Sequence, residues 1–314
     1  DIRHSYNQGI FEIDIAQLQD TLKEPIFKIP LKVVLWFNEE KKIFDIHINK
    51  THQKFAFTVP SKPTAVLFDA EQQLLAEINH PKSFEELIQQ FYQVNLFTPM
   101  HESLQLTADS IHLESVFQMN YKALDHPFWK IRQQAVDNFS NYSGNHLTEL
   151  ISKLKGMTIN DSFHRVRAQS LNTLCSISKD TEPYTVFLEG LKDSAFSVVT
   201  TALRCLLDKN RKELVNSIQP FINSDNPNLV IMLAKIFIKF KDTTKYAWYI
   251  NKFNHQNRGD YFQLLQQFTD YIIILKPEEQ AKAITFLSDI IASKNYWWIR
   301  LEAYNGLDKL NNNP

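Results

Sequence analysis

The amino-acid sequence predicts a small antiparallel β-sandwich followed by an α-solenoid of helix pairs. Apolar and polar residues alternate from Phe11 to Ile78, the pattern of strands with one buried face. From Ser83 onward, apolar residues recur every three or four positions, the period of helices that pack on a core. A repeated phrase then marks the helical part. We therefore predict a β-sandwich domain at 1–80 and a helical solenoid domain at 82–314.

Composition and charge limit the classes of function. The chain has 314 residues, 44% of them apolar, so it is long enough for two domains with sizeable cores. Lys and Arg number 34 against 35 Asp and Glu, and this balance argues against binding to nucleic acid or to a membrane surface. No apolar run approaches the ~20 residues of a membrane span, so no membrane insertion is expected. The chain opens with Asp1 and a strand-like segment, which we interpret as an interior cut from a longer protein.

Several strands are predicted in the first domain, joined as hairpins. The segment 31–37 is apolar on both faces, which predicts a central strand. The breaks between strands are polar or marked by proline, and they are too short for crossover helices, so the strands are expected to be antiparallel. The alternating segments are 11–15, 31–37, 44–48 and 55–59, and the breaks are 37–42, 49–54 and 60–63.

The change to helices is predicted just after Pro81. Ser83 is a helix N-cap residue, and Glu86 stands at the third position after it, which completes a capping box. Only six glycines occur in the chain, and this scarcity is typical of long helices with few left-handed turns.

A phrase repeated through the second domain predicts stacked helix pairs. "HPFWKIRQQA" at 126–135 and "KNYWWIRLEA" at 294–303 share an aromatic residue, Ile-Arg, and Ala three positions after the Arg. The positions in register are Arg132, Arg167, Val199, Ile231, Leu265 and Arg300, with separations of 35, 32, 32, 34 and 35 residues. Such a unit holds two antiparallel helices whose apolar face only the next pair can cover. The pattern predicts six or seven pairs of the HEAT/armadillo sort.

Smaller features support this register. Three positions beyond the register residues lie Ala135, Ser170, Ala202, Ala234, Phe268 and Ala303, four of which are Ala. Seven positions beyond the register residues, all six side chains are apolar. Several copies begin with a cap or a breaker, namely "DHP" at 125–127, "NDS" at 160–162, "KDS" at 192–194 and "DNP" at 225–227.

No catalytic or metal site is predicted in the chain. "HESLQ" at 101–105 begins like the zincin signature, but its fifth position is Gln105 in place of His, and the position of a third ligand is Leu124. No glycine-rich phosphate loop and no nucleophile elbow occurs. Cys175 and Cys205 each stand in an apolar helical run, where a small buried thiol is expected.

Four arginines are candidate contacts for a substrate carboxylate or for a partner: Arg132, Arg165, Arg167 and Arg300. Arginines at equivalent positions of a repeat can line one ridge and present carboxylate-binding forks. The alternative is that they bond to helix ends or Asp caps of neighbouring repeats. For the adjacent Trp297 and Trp298, which point about 100° apart on a helix, the alternatives are core packing and cover for a groove or partner.

Four segments, in this order, resemble the region that follows the catalytic domain in the gluzincin aminopeptidase family. They are "IAQLQD" at 15–20, "PIFKIPLKVVLWF" at 25–37, "FTVPSKPTAVLFDAEQQLLAEI" at 57–78 and "KSFEELIQQF" at 82–91. Together they cover about the first 91 residues. The likeness is greatest to bacterial members whose helical tail is built from HEAT-like repeats.

The resemblance implies a non-catalytic role. In that family a zinc catalytic domain precedes the sandwich, and the helical domain arches over the active site and limits which peptides enter. This chain has neither H-E-x-x-H nor the Gly-Ala-Met-Glu-Asn loop, so zinc is expected in the parent enzyme and not here. The implied partners are the upstream catalytic domain and peptide substrates at the concave face of the solenoid. The alternative is a free-standing HEAT-type scaffold, similar to the aminopeptidase-like subunit of a general transcription factor.

Overall fold

A computed structural model describes residues 1–38, 40–178, 184–209 and 214–312. Strands occupy the beginning of the chain and helices follow, so the predicted fold class is confirmed. By its internal contacts the chain divides into two compact units, a first unit (Asp1–Leu150) and a second unit (Ile151–Pro314). The domain boundary at residues 80–82 stays a prediction. Residue 39 of a predicted break, and residues 179–183, 210–213 and 313–314 of the predicted solenoid, lie outside the described residues.

The strands form two three-stranded antiparallel sheets, one ordered β1-β2-β5 and the other β4-β3-β6. Their bounds are β1 (Ile2–Asn7), β2 (Ile10–Ala16), β3 (Ile29–Phe37), β4 (Glu40–Ile48), β5 (His52–Thr58) and β6 (Ala65–Phe68). Inward residues of both sheets share one core, in which Phe11, Val33 and Leu35 are fully buried. The predicted sandwich is therefore present, and β3 is the central strand of its sheet.

The alternation from residue 69 to Ile78 does not form a strand, so that part of the predicted strand pattern is wrong. The last strand ends at Phe68, and Asp69 has a left-handed backbone with φ of 48°. The Asp69 carboxylate accepts hydrogen bonds from the backbone N–H of Gln73 at 2.9 Å and of Leu74 at 2.8 Å. These bonds close a turn, because a short acidic side chain satisfies backbone donors that a strand would have paired.

Two glutamines after β2 hold the segment that leads into β3. Gln17 Nε2 donates to the carbonyl of Phe27 at 2.9 Å, and Gln17 Oε1 accepts from the Phe27 N–H at 3.1 Å. Gln19 Nε2 donates to Gln17 Oε1 and to the carbonyl of Pro25, each at 3.0 Å. An irregular segment thereby obtains the backbone hydrogen bonds that no sheet supplies to it.

After β6, the regular elements of the described chain are helices, joined by turns and irregular segments. The α-helices are α1 (Phe84–Gln93), α2 (Phe97–Leu106), α3 (Glu114–Ala123), α4 (Trp129–Asn138), α5 (Leu147–Asn160), α6 (His164–Ile177), α7 (Tyr184–Gly190), α8 (Phe196–Asp208), α9 (Leu214–Ser217), α10 (Pro227–Lys239), α11 (Tyr246–Phe253), α12 (Arg258–Tyr271), α13 (Pro277–Ala292) and α14 (Trp297–Asn312). Short 3-10 helices lie at Ala108–Ser110, Gln219–Phe221, Thr243–Lys245 and Ile272–Ile274. Among the described residues, no helix combines the length and the apolar character that crossing a membrane requires.

The six register residues lie on alternate helices, from α4 to α14. The residues three positions beyond them, Ala135, Ser170, Ala202, Ala234, Phe268 and Ala303, all have zero exposure. In the second unit, α6, α8, α10, α12 and α14 pack on one another in succession, and α13 packs against α14. The small buried side chain at each of five positions lets neighbouring helices approach, which is the stacking that the repeat predicts.

A recurring turn opens four of these helices. In each turn, a side chain accepts the backbone N–H of the N-cap residue two positions later. The pairs are His126 with Phe128 at 3.0 Å, Asp161 with Phe163 at 2.9 Å, Asp193 with Ala195 at 2.8 Å, and Ser224 with Asn226 at 3.2 Å. The breakers found in the sequence therefore mark where each of these helices begins.

Candidate functional site

The Arg167 side chain bonds to the turns that precede two helices of the second unit, its own helix α6 and the neighbouring helix α8. Its guanidinium contacts the Asp193 carboxylate in a bidentate pair, with Nε to Oδ2 at 2.6 Å and Nη2 to Oδ1 at 2.8 Å. Nη1 donates to the carbonyl of Asp161 at 2.9 Å. Burial opposes ionisation of Asp193, but hydrogen bonds from Arg167 and from the Ala195 N–H outweigh it and keep the pKa of Asp193 below its ordinary value. Of the two alternatives for the candidate arginines, Arg167 has the contacts of the second, a bond to an Asp cap of a neighbouring repeat.

The other three candidate arginines differ in their surroundings. Arg132 Nη1 donates to the carbonyls of His126 at 2.8 Å and Pro127 at 2.9 Å, so it secures the entry of its own helix in the way Arg167 does. Arg165 and Arg300 have exposed side chains on α6 and α14. Their roles as contacts for a carboxylate or a partner stay predictions.

A polar network joins the first strand to the first helix of the first unit. His4 Nε2 is 2.8 Å from Glu86 Oε1, and His4 Nδ1 is 2.8 Å from His80 Nε2. Glu86 Oε2 accepts from the N–H of Ser83 at 2.7 Å and from its hydroxyl at 2.8 Å, while the Glu86 N–H donates back to the Ser83 hydroxyl. This is the capping box that the sequence predicts, extended by two imidazoles.

The charges of this network are fixed by its surroundings. Hydrogen bonding from His4, with further bonds from Ser83, lowers the pKa of Glu86 to about 2 against the opposing effect of burial. Burial, followed by the positive charge of Lys82, lowers the pKa of His80 to about 3. Because ionised Glu86 can only accept, His4 Nε2 carries a proton, and one further proton lies between the two imidazoles.

A second polar cluster lies beside the network, at the base of α1 and α2. Lys82 Nζ is 2.7 Å from Glu102 Oε2 and 2.9 Å from Gln90 Oε1, and only 6% of the Lys82 side chain is exposed. Gln90 Nε2 donates to the carbonyl of Pro99 at 2.7 Å and to Glu102 at 2.9 Å. His80, Lys82 and Glu102 line a cleft of about 450 Å³.

The sequence predicted only the capping box of Ser83 and Glu86, and none of the other contacts in these two clusters. His4 and Glu86 are separated by 82 positions, and no local pattern reports a pairing at that distance. In the sequence, Lys82 resembles an ordinary surface charge and Glu102 stands in the stretch that begins like a zincin signature, so neither residue points to the other. The only available signal was the capping box itself, which placed Glu86 at the start of a helix.

The arrangement does not fit a resident zinc ion. Within the described ranges, no group of three His, Cys, Asp or Glu side chains could hold a metal. In the stretch that begins like a zincin signature, Glu102 is paired with Lys82, and the His101 ring packs on Phe97 with centroids 5.3 Å apart. The polar side chains satisfy one another, so they stabilise the junction of sheet and helix, and we assign no reaction to them.

Comparison with solved structures shows what the chain is similar to in fold, whereas sequence comparisons find no match. No protein-family model matches the chain, and no curated protein matches it. Among solved structures, the chain is similar to aminopeptidase A from Legionella pneumophila in complex with aspartic acid, with a TM-score of 0.49 and 13% sequence identity. The match covers 98% of this chain and 48% of that one, so the chain spans about half the length of the aminopeptidase. At this TM-score the likeness carries no weight for function.

Proposed function

We propose that the chain is the non-catalytic C-terminal region of a zinc aminopeptidase, an enzyme that releases N-terminal residues from peptides. In this proposal the sandwich supports the catalytic domain, and the helical repeats limit access to its active site. The observation that carries it is that all four segments resembling the gluzincin family have supporting roles in the described structure.

Three of the four segments use their polar residues to hold backbone or neighbouring side chains, and the fourth, at 25–37, supplies the central strand β3. Gln17 and Gln19 hold the segment before β3, and Asp69 closes the turn after β6. Ser83 caps α1, and Lys82 is paired with Glu102 in a largely buried position. Polar residues with such partners stabilise the fold, as expected of a supporting region without a reaction of its own.

The experiment that tests the proposal compares this chain with the full product of its gene, which the proposal expects to be longer. The coding sequence before Asp1 is expected to contain H-E-x-x-H and a downstream Glu. The chain alone is expected to release no p-nitroaniline from aminoacyl-p-nitroanilides with added Zn²⁺, because no three-ligand cluster occurs in its described part. The longer product is expected to hydrolyse them, to lose activity with a chelator and to regain it with Zn²⁺. Hydrolysis by the chain alone, or a longer product without the zinc motif, would contradict the proposal.

The same preparation tests the proposed role of Arg300. If this exposed side chain binds a substrate carboxylate, Arg300→Ala raises KM for peptides with a free C-terminus and leaves KM for C-terminal amides unchanged. Equal effects on acids and amides would remove Arg300 from the substrate site.

One observation favours the second candidate function, a free-standing scaffold that binds proteins. Trp297, Leu301 and Tyr304 recur on one face of α14, and they are 65%, 49% and 59% exposed. Exposed apolar side chains in such a row are typical of a surface that binds a partner. A start codon at or just before Asp1, together with an inactive full-length product, would favour this scaffold over the enzyme region.

A further inference from the structure

The two cysteines of the chain lie on two packed helices of the second unit, and Cys205 Sγ is 3.8 Å from the carbonyl one turn before Cys175. Cys175 is near the end of α6 and Cys205 is near the end of α8, and these two helices pack together. Cys205 is fully buried, and its thiol donates weakly to the carbonyl of Leu171 at 3.8 Å. Cys175 is partly exposed, and its thiol interacts with that of Cys205. One thiol of the pair is thus accessible to a small oxidant and the other is shielded.

A fixed guanidinium lies next to this pair. Arg204 Nη2 is 3.7 Å from Cys205 Sγ, and its Nη1 contacts Asp208 Oδ2 at 2.9 Å. The same Nη2 donates to the side-chain carbonyl of Asn172 on α6, so bonds to both helices hold the guanidinium in place. A positive charge beside a thiol favours the thiolate, which is the form that reacts with oxidants.

The surroundings of the two thiols shift their pKa values in opposite directions. The hydrogen bond with Cys205, supported by the charges of Arg204 and Lys209, lowers the pKa of Cys175 to about 7 against burial and the charge of Asp208. The same interaction, together with burial, raises the pKa of Cys205. Cys175 is therefore the more acidic thiol of the pair, and the thiolate is the form that reacts with oxidants.

We propose that Cys175 is a peroxide-sensitive modification site and that Cys205 is its resolving thiol, so that hydrogen peroxide converts the pair into a reversible disulfide between α6 and α8. In the first step the Cys175 thiolate attacks one peroxide oxygen. The O–O bond breaks, hydroxide leaves, and a sulfenic acid remains on Cys175. In the second step the Cys205 sulfur attacks the Cys175 sulfur, the S–O bond breaks, and water leaves with the proton of Cys205. Two thiols are oxidised and one peroxide is reduced to two water molecules.

The structure explains why the two cysteines have different roles. A buried thiol with a raised pKa is a poor nucleophile toward peroxide, whereas its contact with Cys175 places it where a sulfenic acid would form. The disulfide would link equivalent helices of two successive repeats. The proposal is independent of the proposed aminopeptidase relation.

The test uses the whole chain, reduced and then freed of reductant, with hydrogen peroxide as the probe. Intact mass is expected to fall by about 2 Da per chain, and both thiols are expected to become unreactive to iodoacetamide until dithiothreitol restores them. Peptide mapping is expected to recover a cross-link between Cys175 and Cys205 within one chain. Unchanged mass, or a cross-link only between two chains, would overturn the proposal.

Matched variants separate the two roles. Cys205→Ser is expected to stop at a sulfenic acid on Cys175, trapped by dimedone, and Cys205→Ala repeats the test without a buried hydroxyl. Cys175→Ser is expected to leave Cys205 unmodified under the same conditions. In Arg204→Gln, with circular dichroism as a check on folding, alkylation of Cys175 at pH 7 is expected to slow severalfold. Dimedone labelling of Cys205 in Cys175→Ser, at the rate of Cys175 in Cys205→Ser, would contradict the assignment.

Discussion

His80 makes the stability of the protein depend on pH. Its partly buried imidazole packs against the Phe68 ring, with centroids 4.7 Å apart, and it lies near the positive charge of Lys82. Its pKa is about 3 in the folded protein against an ordinary value of 6.5. Between these two values the unfolded chain binds a proton that the folded chain does not, so the free energy of unfolding falls as the pH falls.

The substitution His80→Gln tests this dependence. The Gln amide nitrogen can still donate to His4 Nδ1, but it does not titrate. Between pH 7 and pH 5 the wild-type chain is expected to lose about 2 kcal/mol more of its free energy of unfolding than the variant does. Urea unfolding at both pH values measures the difference. Glu86 does not confuse the comparison, because its stabilising effect is lost only below its ordinary pKa of 4.5. Equal losses in the two proteins would show that His80 is not the titrating group.

The candidate arginines show how far single residues could be predicted. The repeat register identified Arg132 and Arg167 as equivalent, and both donate to a carbonyl six positions earlier. The partner Asp193 stood in a predicted cap, but its pairing with Arg167 depends on how two helices pack. Spacing along the chain fixes the position on a helix face, and it does not fix the partner across the interface.

Gly306 lies where α14 packs closely against α12 and α13 of the second unit, and a substitution can test this packing. A Cβ at Gly306 on α14 would lie 2.7 Å from Thr269 Cγ2 and 3.1 Å from Leu287 Cδ1. Thr269 is fully buried and branched at Cβ, so it has little room to move. Gly306→Ala is expected to lower the free energy of unfolding by about 1–2 kcal/mol, because overpacking outweighs the gain in helix propensity.

Gly156 provides the matched control for that substitution. It lies within α5, and an added Cβ would meet no atom within 4 Å. Gly156→Ala is therefore expected to raise the free energy of unfolding by up to about 1 kcal/mol, the ordinary difference in helix propensity. Urea denaturation of both variants should give opposite signs. Stabilisation by Gly306→Ala would show that α14 does not pack as closely as described.

The elements themselves were more predictable than their connections. The central strand at 31–37 could be recognised because both of its faces are apolar, and the repeat placed six helices because each must bury one face. The segment after Phe68 was misread, because its apolar residues alternate while Asp69 closes a turn. Alternation reports which side chains are apolar, and a single side chain that satisfies backbone donors can outweigh it.

In the first unit, the sandwich and the first helix are joined by contacts that run across the predicted domain boundary. Ala65 and Leu67 of β6 form a buried cluster with Val94 after α1, and Thr64 Oγ1 donates to Gln93 Oε1 at 2.6 Å. Together with the bond between His4 and Glu86, these contacts make α1 part of the stability of the sheets.

Native-state hydrogen exchange of the whole chain tests this connection. The most protected amides of β3 and α1 are expected to open with the same free energy, and that free energy is expected to respond equally to low urea concentrations. If the amides of α1 exchange while those of β3 stay protected, α1 unfolds independently of the sheets. That result would favour a domain boundary at residues 80–82.

The donation of an arginine to the carbonyl six positions earlier has a consequence for how such chains diversify. Arg132 and Arg167 each bond to the turn before their own helix, and in both cases this bond joins atoms of the same short stretch of chain. A gene duplication that copies the stretch would also copy the bond from the arginine to the carbonyl six positions earlier. A copy of either stretch would therefore begin its helix with the same bond already in place.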